Sequence, residues 1–404
     1  MFYDPKAYLR SLLVVYSEEV HSGLDFWAEH GVDWEKGGLV TYLDRQGNWY
    51  LDEKQGWFTG RAMYSFAKGY NDIYPKQRWL DAALNLYDFM IAHQFVKDGK
   101  GKLYHNMSRE GLPCKAHPRA GEHISAEPYV YSGLHDESFA VMGLAELYKA
   151  TGRADIKQTF YEMVKTQQFI YHNPDYYFDG VLNPNETAPK QDLGTLMSLM
   201  CSTQTARGCD PEREQYYTSL MKEYVEQLFG YYYDPLRKVL TEKEVDCPGH
   251  SMEVAWFALA EGLYTGNQEL VDQCADVISN LLELGWDKRF GGFNVFANFH
   301  GGSAFEVNQN LKYWWPNNEL EIGLMYSYIG TGKEQFLEKY RMVHEWVFGH
   351  FPDREYGEWY GYLNYDGTPL SHTKGDNQKG AYHLYRSFYA IYNLIQAYLE
   401  KNAE

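Results

Sequence analysis

The sequence predicts an all-α protein, an (α/α)6 barrel with short β-hairpins at one mouth, built as one domain over residues 1–404. Three observations predict it. Stretches such as "RWLDAALNLYDFMIAHQF", "MEVAWFALAEGLYTG" and "ELEIGLMYSYIGTG" place apolar residues at i, i+3, i+4 and i+7, the period of a helix with one buried face. Between pairs of these runs lie segments rich in Gly, Asp and aromatics. The segments recur every roughly 55 to 75 residues, the length of two helices and a connection.

From the N-terminus, "MFYDPKAYLRSLLVVYSEEVHSGLDFW" reads as an amphipathic helix; its apolar run is too short to span a bilayer, and it lacks a signal-type core and cleavage site. The connecting segments begin at Asp33, Lys97, Asn173, Tyr231, Asp287 and Asp353. Three of them rhyme: Asp33 precedes Gly37-Gly38, Asp287 precedes Gly291-Gly292 and Asp353 precedes Gly357-Glu358, at one offset. Alternating apolar residues and a second turn follow each, the pattern of a small hairpin. The helical runs "ESFAVMGLAELYKATG", "MEVAWFALAEGLYTG" and "ELEIGLMYSYIGTG" stop at Thr-Gly. Six units give six helical hairpins, which close into a ring with one helix of each pair inside; an open superhelical array is the competing geometry. In a closed ring the helix starts "GWFTGR" (56–61), "PGHSMEVAW" (248–256), "KYWWPNNELE" (312–321) and "KGAYHLYR" (379–386) line a bowl.

Composition narrows the function. A net charge of −18 argues against nucleic acid and anionic membranes, which need clustered Lys and Arg. Aromatic residues reach 17%, with 37 Tyr and 11 Trp, and such rings stack well on the apolar faces of sugars. The five cysteines are scattered and form no CxxC pair, which predicts a reducing, cytoplasmic setting and no zinc site. No P-loop, dinucleotide fingerprint or HExxH is present.

The rim stretches hold the candidates for chemistry. His250 precedes Glu253 by three positions, so Glu253 either caps the helix start or orients the imidazole. His383 repeats the theme, with Arg386 one turn on along the same face. Arg61 stands at a helix start, where the dipole favours anions; it either pairs with a rim carboxylate or waits for an oxyanion. Glu319 is a ligand for sugar hydroxyls or a buried structural carboxylate. Trp315 is a stacking platform or a core residue. His105 sits on a hairpin facing the bowl, in reach of a substrate.

Together "GG…TYLDRQG…GR" (37–61), "PGHSMEVAWF" (248–257), "KYWWPNNE" (312–319), "GEWYGYL" (357–363) and "KGDNQKGAYHLYR" (374–386) resemble, in order, the N-acylglucosamine 2-epimerase family, which also includes cellobiose 2-epimerases and mannose isomerases. The doubled Lys-Gly of the last motif and Trp-Trp-Pro at 314–316 look more like the N-acylglucosamine branch, while Gln378 and Tyr385 depart from a usual Trp and Pro. The resemblance implies an (α/α)6 barrel, His250 and His383 as the catalytic pair, Arg61 on the reacting oxygens, and Glu253 and Glu319 bordering the site; Trp315, His105 and Arg386, read from their place on the rim, are the further substrate-binding candidates. It also implies a homodimer with no required cofactor or metal, and ATP as an activator. The expected reaction interconverts N-acetyl-D-glucosamine and N-acetyl-D-mannosamine through an enediolate. The alternatives are an aldose–ketose isomerase or epimerase of free sugars, a glycoside hydrolase using two of Glu253, Glu319 and Glu358, and a non-catalytic sugar-binding protein.

Overall fold

The computed structural model describes residues 4–96, 101–114, 134–173, 192–242, 247–304 and 306–402. Apart from Asn173, the connecting segment expected over 173–189 lies outside the described residues, as does part of those from Lys97 and Tyr231. Twelve α-helices appear among the described residues: α1 (Pro5–His30), α2 (Gly56–Asp72), α3 (Gln77–Phe89), α4 (His135–Thr151), α5 (Ala154–His172), α6 (Leu193–Cys209), α7 (Glu214–Gln227), α8 (Pro248–Thr265), α9 (Gln268–Gly285), α10 (Trp314–Thr331), α11 (Glu334–His350) and α12 (His383–Lys401). None of the described helices is long and apolar enough to cross a membrane.

The chain divides into two compact units, each assembled from separate pieces of sequence. One comprises 1–23, 221–372 and 383–404; the other comprises 24–220 and 373–382. In the first, α10 packs between α8 and α12, with α9 against α8 and α10 and with α11 against α10. In the second, α4 packs between α2 and α6, with α3 and α5 on the other side of the hairpins. Alternate helices thus pack on one another, as stacked helical hairpins require.

Sequence explains which helix goes where. In α9 the buried residues Val271, Cys274, Ala275, Ile278, Leu281 and Leu282 fall on one stripe, so the opposite face meets water. In α10 the residues from Pro316 to Met325 are all buried, including Asn317, Asn318, Glu319 and Glu321. A helix with polar groups on all sides that is nonetheless buried must satisfy them internally, and this makes α10 the place to look for function.

The Thr-Gly stops are built alike. Gly152, Gly266 and Gly332 take φ of 64°, 70° and 68°, the left-handed C-cap that glycine adopts without a steric penalty. The preceding threonines turn their hydroxyls back: Thr151 donates to the Leu147 carbonyl, Thr265 to Glu261 and Thr331 to Ser327, at 2.8, 2.8 and 2.7 Å.

The Asp-to-Gly rhyme is a repeated turn. Asp33 accepts the amides of Glu35 and Lys36 on Oδ1, and its own amide donates to the Gly38 carbonyl at 3.0 Å. Asp287 does the same with Arg289, Phe290 and Gly292, and Asp353 with Glu355 and Glu358. A buried lysine from the strand before a helix closes two of these turns: Lys54 meets Asp33 at 3.1 Å and Lys312 meets Asp287 at 2.9 Å. These lysines lie in β1 (Lys54–Gln55) and β3 (Lys312–Tyr313), which pair antiparallel with β2 (Asn106–Met107) and β4 (Tyr362–Leu363). These pairs join strands far apart in sequence, not the two arms of one hairpin.

Candidate active site

Three helix starts of the first unit converge. Pro248 opens α8, where its missing N–H is no loss. Gly249 follows because a Cβ there would stand 2.5 Å from the Trp315 ring. This close approach lays the His250 imidazole flat on Trp315, with ring centroids 5.0 Å apart and planes 29° from parallel. His383, the first residue of α12, tilts toward the same indole at 5.6 Å. Trp315 is therefore flanked by both imidazoles.

Each imidazole has its Nδ1 held by a carboxylate. His250 Nδ1 lies 2.7 Å from Glu242 Oε1, and His383 Nδ1 lies 3.0 Å from Glu319 Oε1. Both rings also sit at helix N-termini, whose dipoles oppose a bound proton while the carboxylates favour it. The nitrogen turned away from the carboxylate, Nε2, is the one such an arrangement presents for proton transfer.

Behind His383 is a buried charge cluster. Arg386 places Nη1 2.5 Å from Glu253 Oε1 and bonds Glu319 Oε1 through Nη2. The Trp256 indole N–H donates to Glu319 Oε2 at 2.8 Å. Burial pushes the Glu319 carboxyl above its ordinary range, and Arg386 and Trp256 pull against it. Glu253, Glu319 and His383 bring ligand-type atoms within 4.8 Å of one another, a spacing open to a metal ion. The Arg386 guanidinium already bonds both of those carboxylates. A fixed cation occupies the electrostatic place a divalent ion would take.

Glu253 was expected at the His250 ring or capping the helix start. It pairs with Arg386 instead, the stronger partner in a dry site, and the start of α8 has no side-chain cap. Glu242, which holds His250, carried no sequence signal: it lies eight residues upstream on an irregular segment. Trp256 was hidden by the apolar period of its own helix.

Arg61 and His105 belong to the other unit. The Arg61 guanidinium, 6% exposed, lies over the rings of Phe139, Trp57 and Tyr382 at 4.0, 4.6 and 4.8 Å. A cation at a helix start, where the dipole works against it, is here stabilised by aromatic faces. His105 Nδ1 lies 2.9 Å from Asp136 Oδ2, and its ring meets Trp57 at 5.2 Å. Asp136, in "GLHDES", is the partner that reading the histidine alone did not reveal.

Comparison with known proteins agrees with this picture. The profile of the family described as N-acylglucosamine 2-epimerase (GlcNAc 2-epimerase) matches residues 200–387, a span holding both histidines and the charge cluster. An N-acylglucosamine 2-epimerase of Mus musculus is 27% identical over 97% of this chain and 94% of its own; one of Homo sapiens is 28% identical over 98% and 93%. Among solved structures, cellobiose 2-epimerase from Bacillus thermoamylovorans B4167 superposes with a TM-score of 0.77 at 20% identity, covering 94% of this chain and 99% of that one. The fold is the one these structures share. Over nearly its whole length the chain is similar to N-acylglucosamine 2-epimerases.

Proposed function

We propose that this protein is a sugar 2-epimerase interconverting N-acetyl-D-glucosamine and N-acetyl-D-mannosamine. The observation that supports this reading most is the pair of imidazoles flanking Trp315, each backed on Nδ1 by its own carboxylate. Inverting carbon 2 of an opened sugar needs a proton removed from one face and another delivered to the opposite face. Two separately held imidazoles meet that need, one as base and the other as acid. The enediolate between the steps bears negative charge on oxygen, and Arg61 is its proposed stabiliser on the strength of the sequence motif.

A hydrolytic reading needs two carboxylates at liberty to act as acid and base. Glu253 and Glu319 are both bonded to Arg386, and Glu358 accepts the Tyr385 hydroxyl. That favours proton transfer by histidine. The imidazole chemistry requires no metal or cofactor. ATP is the proposed activator, which adding it to the assay tests. A cytoplasmic homodimer completes the proposal; five cysteines that form no disulfide suit a reducing compartment, and sedimentation tests the dimer.

His383→Asn and His250→Asn test the reading. Each is expected to lower epimerisation by about 10²–10⁴, the worth of a positioned acid or base, with circular dichroism unchanged. A variant of either kind with near-normal turnover would sink it.

A further inference from the structure

The two imidazoles are not equivalent. The His250 side chain is 34% exposed, and its carboxylate partner Glu242 is 22% exposed. The His383 side chain is 10% exposed, and its partner Glu319 is fully buried. His383 has Trp314 at its edge, Trp315 at its face and Arg386 behind it. Water therefore reaches one ring of the pair far more readily than the other.

We infer that His250 is the solvent-exchanging base of the pair, with Glu242 its positioning residue, while His383 retains the proton it takes. The inference rests on the epimerase reading and adds to it an order of events. When His250 is the base, the C2–H bond breaks, the proton moves to His250, and the electron pair enters the enediolate. The proton on His250 then exchanges with water before the reverse step, and deuterium from the solvent enters the unreacted sugar. When His383 is the base the same step occurs, but its proton returns to the sugar unexchanged or stays until the product has left. In both directions the opposite imidazole gives its proton to carbon 2, so product gains one hydrogen for the one lost.

Among the described residues, the charged and titratable groups near His250 include Glu242 on the preceding segment, Cys247 before the helix, Glu253 on α8, Glu319 on α10, and His383 and Arg386 on α12. Of these, Glu242 holds the ring nitrogen at 2.7 Å. Removing it weakens the hold of His250 on a proton. Glu242→Gln should thus move the acidic limb of kcat/KM to lower pH for the sugar on which His250 is the base. For the other sugar, where His250 must be protonated, the basic limb should move to lower pH. A merely structural role for Glu242 would lower both profiles without moving either limb.

The test uses the whole protein in D₂O, with N-acetylglucosamine and N-acetylmannosamine supplied separately and stopped at low conversion. Deuterium at carbon 2 of the recovered substrate should differ between the two directions by about threefold or more, following the solvent access of the two rings. The sugar with the larger wash-in is the one His250 deprotonates. Equal wash-in alongside normal epimerisation overturns this inference and leaves the epimerase reading standing. No epimerisation of either sugar overturns both.

Discussion

Arg386→Met removes a cation that bonds both Glu253 and Glu319, and its consequence can be worked from the structure. Arg386 is 3% exposed, Glu253 2% and Glu319 0%, so water cannot replace the lost guanidinium. Breaking a buried ion pair by deleting one partner typically costs about 3–5 kcal/mol. The surviving carboxylates would then face each other, and the folded variant would hold an extra proton that the unfolded chain releases. A carboxyl whose folded affinity for protons exceeds its unfolded value of 4.5 is penalised progressively as pH rises above that value. The variant should therefore lose most stability near pH 8 and less near pH 5, at about 1.4 kcal/mol per pH unit for each extra proton held. Urea unfolding followed by the fluorescence of the nearby tryptophans measures this. A loss under about 1 kcal/mol at pH 8 would refute the reasoning, since it lies far below the range for a broken buried pair. So would a larger loss at pH 5 than at pH 8.

Other perturbations follow from single contacts. Glu319→Gln leaves Arg386 paired with Glu253 yet removes the charge behind His383, so kcat should fall more than tenfold while urea stability changes by less than about 1.5 kcal/mol. Gly249→Ala puts a Cβ 2.5 Å from Trp315, which must shift the ring that flanks both histidines; turnover should drop several-fold, read by the NMR assay, with the melting temperature moving little. Gly266→Ala meets no neighbouring atom but keeps φ at 70°; strain alone should cost about 1 kcal/mol in urea unfolding, with activity intact. At Asp33, burial would raise the carboxyl, but Arg109, the Lys36 amide and Lys54 bring it down to about 2. Its contribution to stability is thus complete above the unfolded value of 3.8 and is lost as pH falls toward 2. Asp33→Asn should accordingly destabilise the protein at pH 7 and flatten its acid unfolding over that window.

What the sequence revealed was local. The Asp-to-Gly turns were visible because the backbone and Asp side-chain bonds that shape them lie within six residues, and the Thr-Gly stops because a left-handed cap selects glycine. Helix order and the positions of His250, His383, Glu319 and Arg386 at helix starts were legible for the same reason. The partners were not. Glu242 meets His250 from an irregular segment, Trp256 reaches Glu319 across 63 residues, and Glu253 chose Arg386 over its near neighbour. Such choices are set by burial, which turns a three-residue spacing from a capping signal into an ion pair between helices. Glu358 shows the limit of the repeat itself: it takes φ of 55° where the other two turns have glycine. Its carboxylate bonds Tyr385 on α12, a long-range contact that accompanies the strain.

The measurement that tests the central claim most directly is proton NMR of N-acetylglucosamine with the protein in D₂O, with mannose and glucose in parallel. The account predicts N-acetylmannosamine bearing deuterium at carbon 2, and no such product from His383→Asn. Turnover confined to mannose or glucose, or N-acetylmannosamine that keeps the original hydrogen at carbon 2, would contradict it.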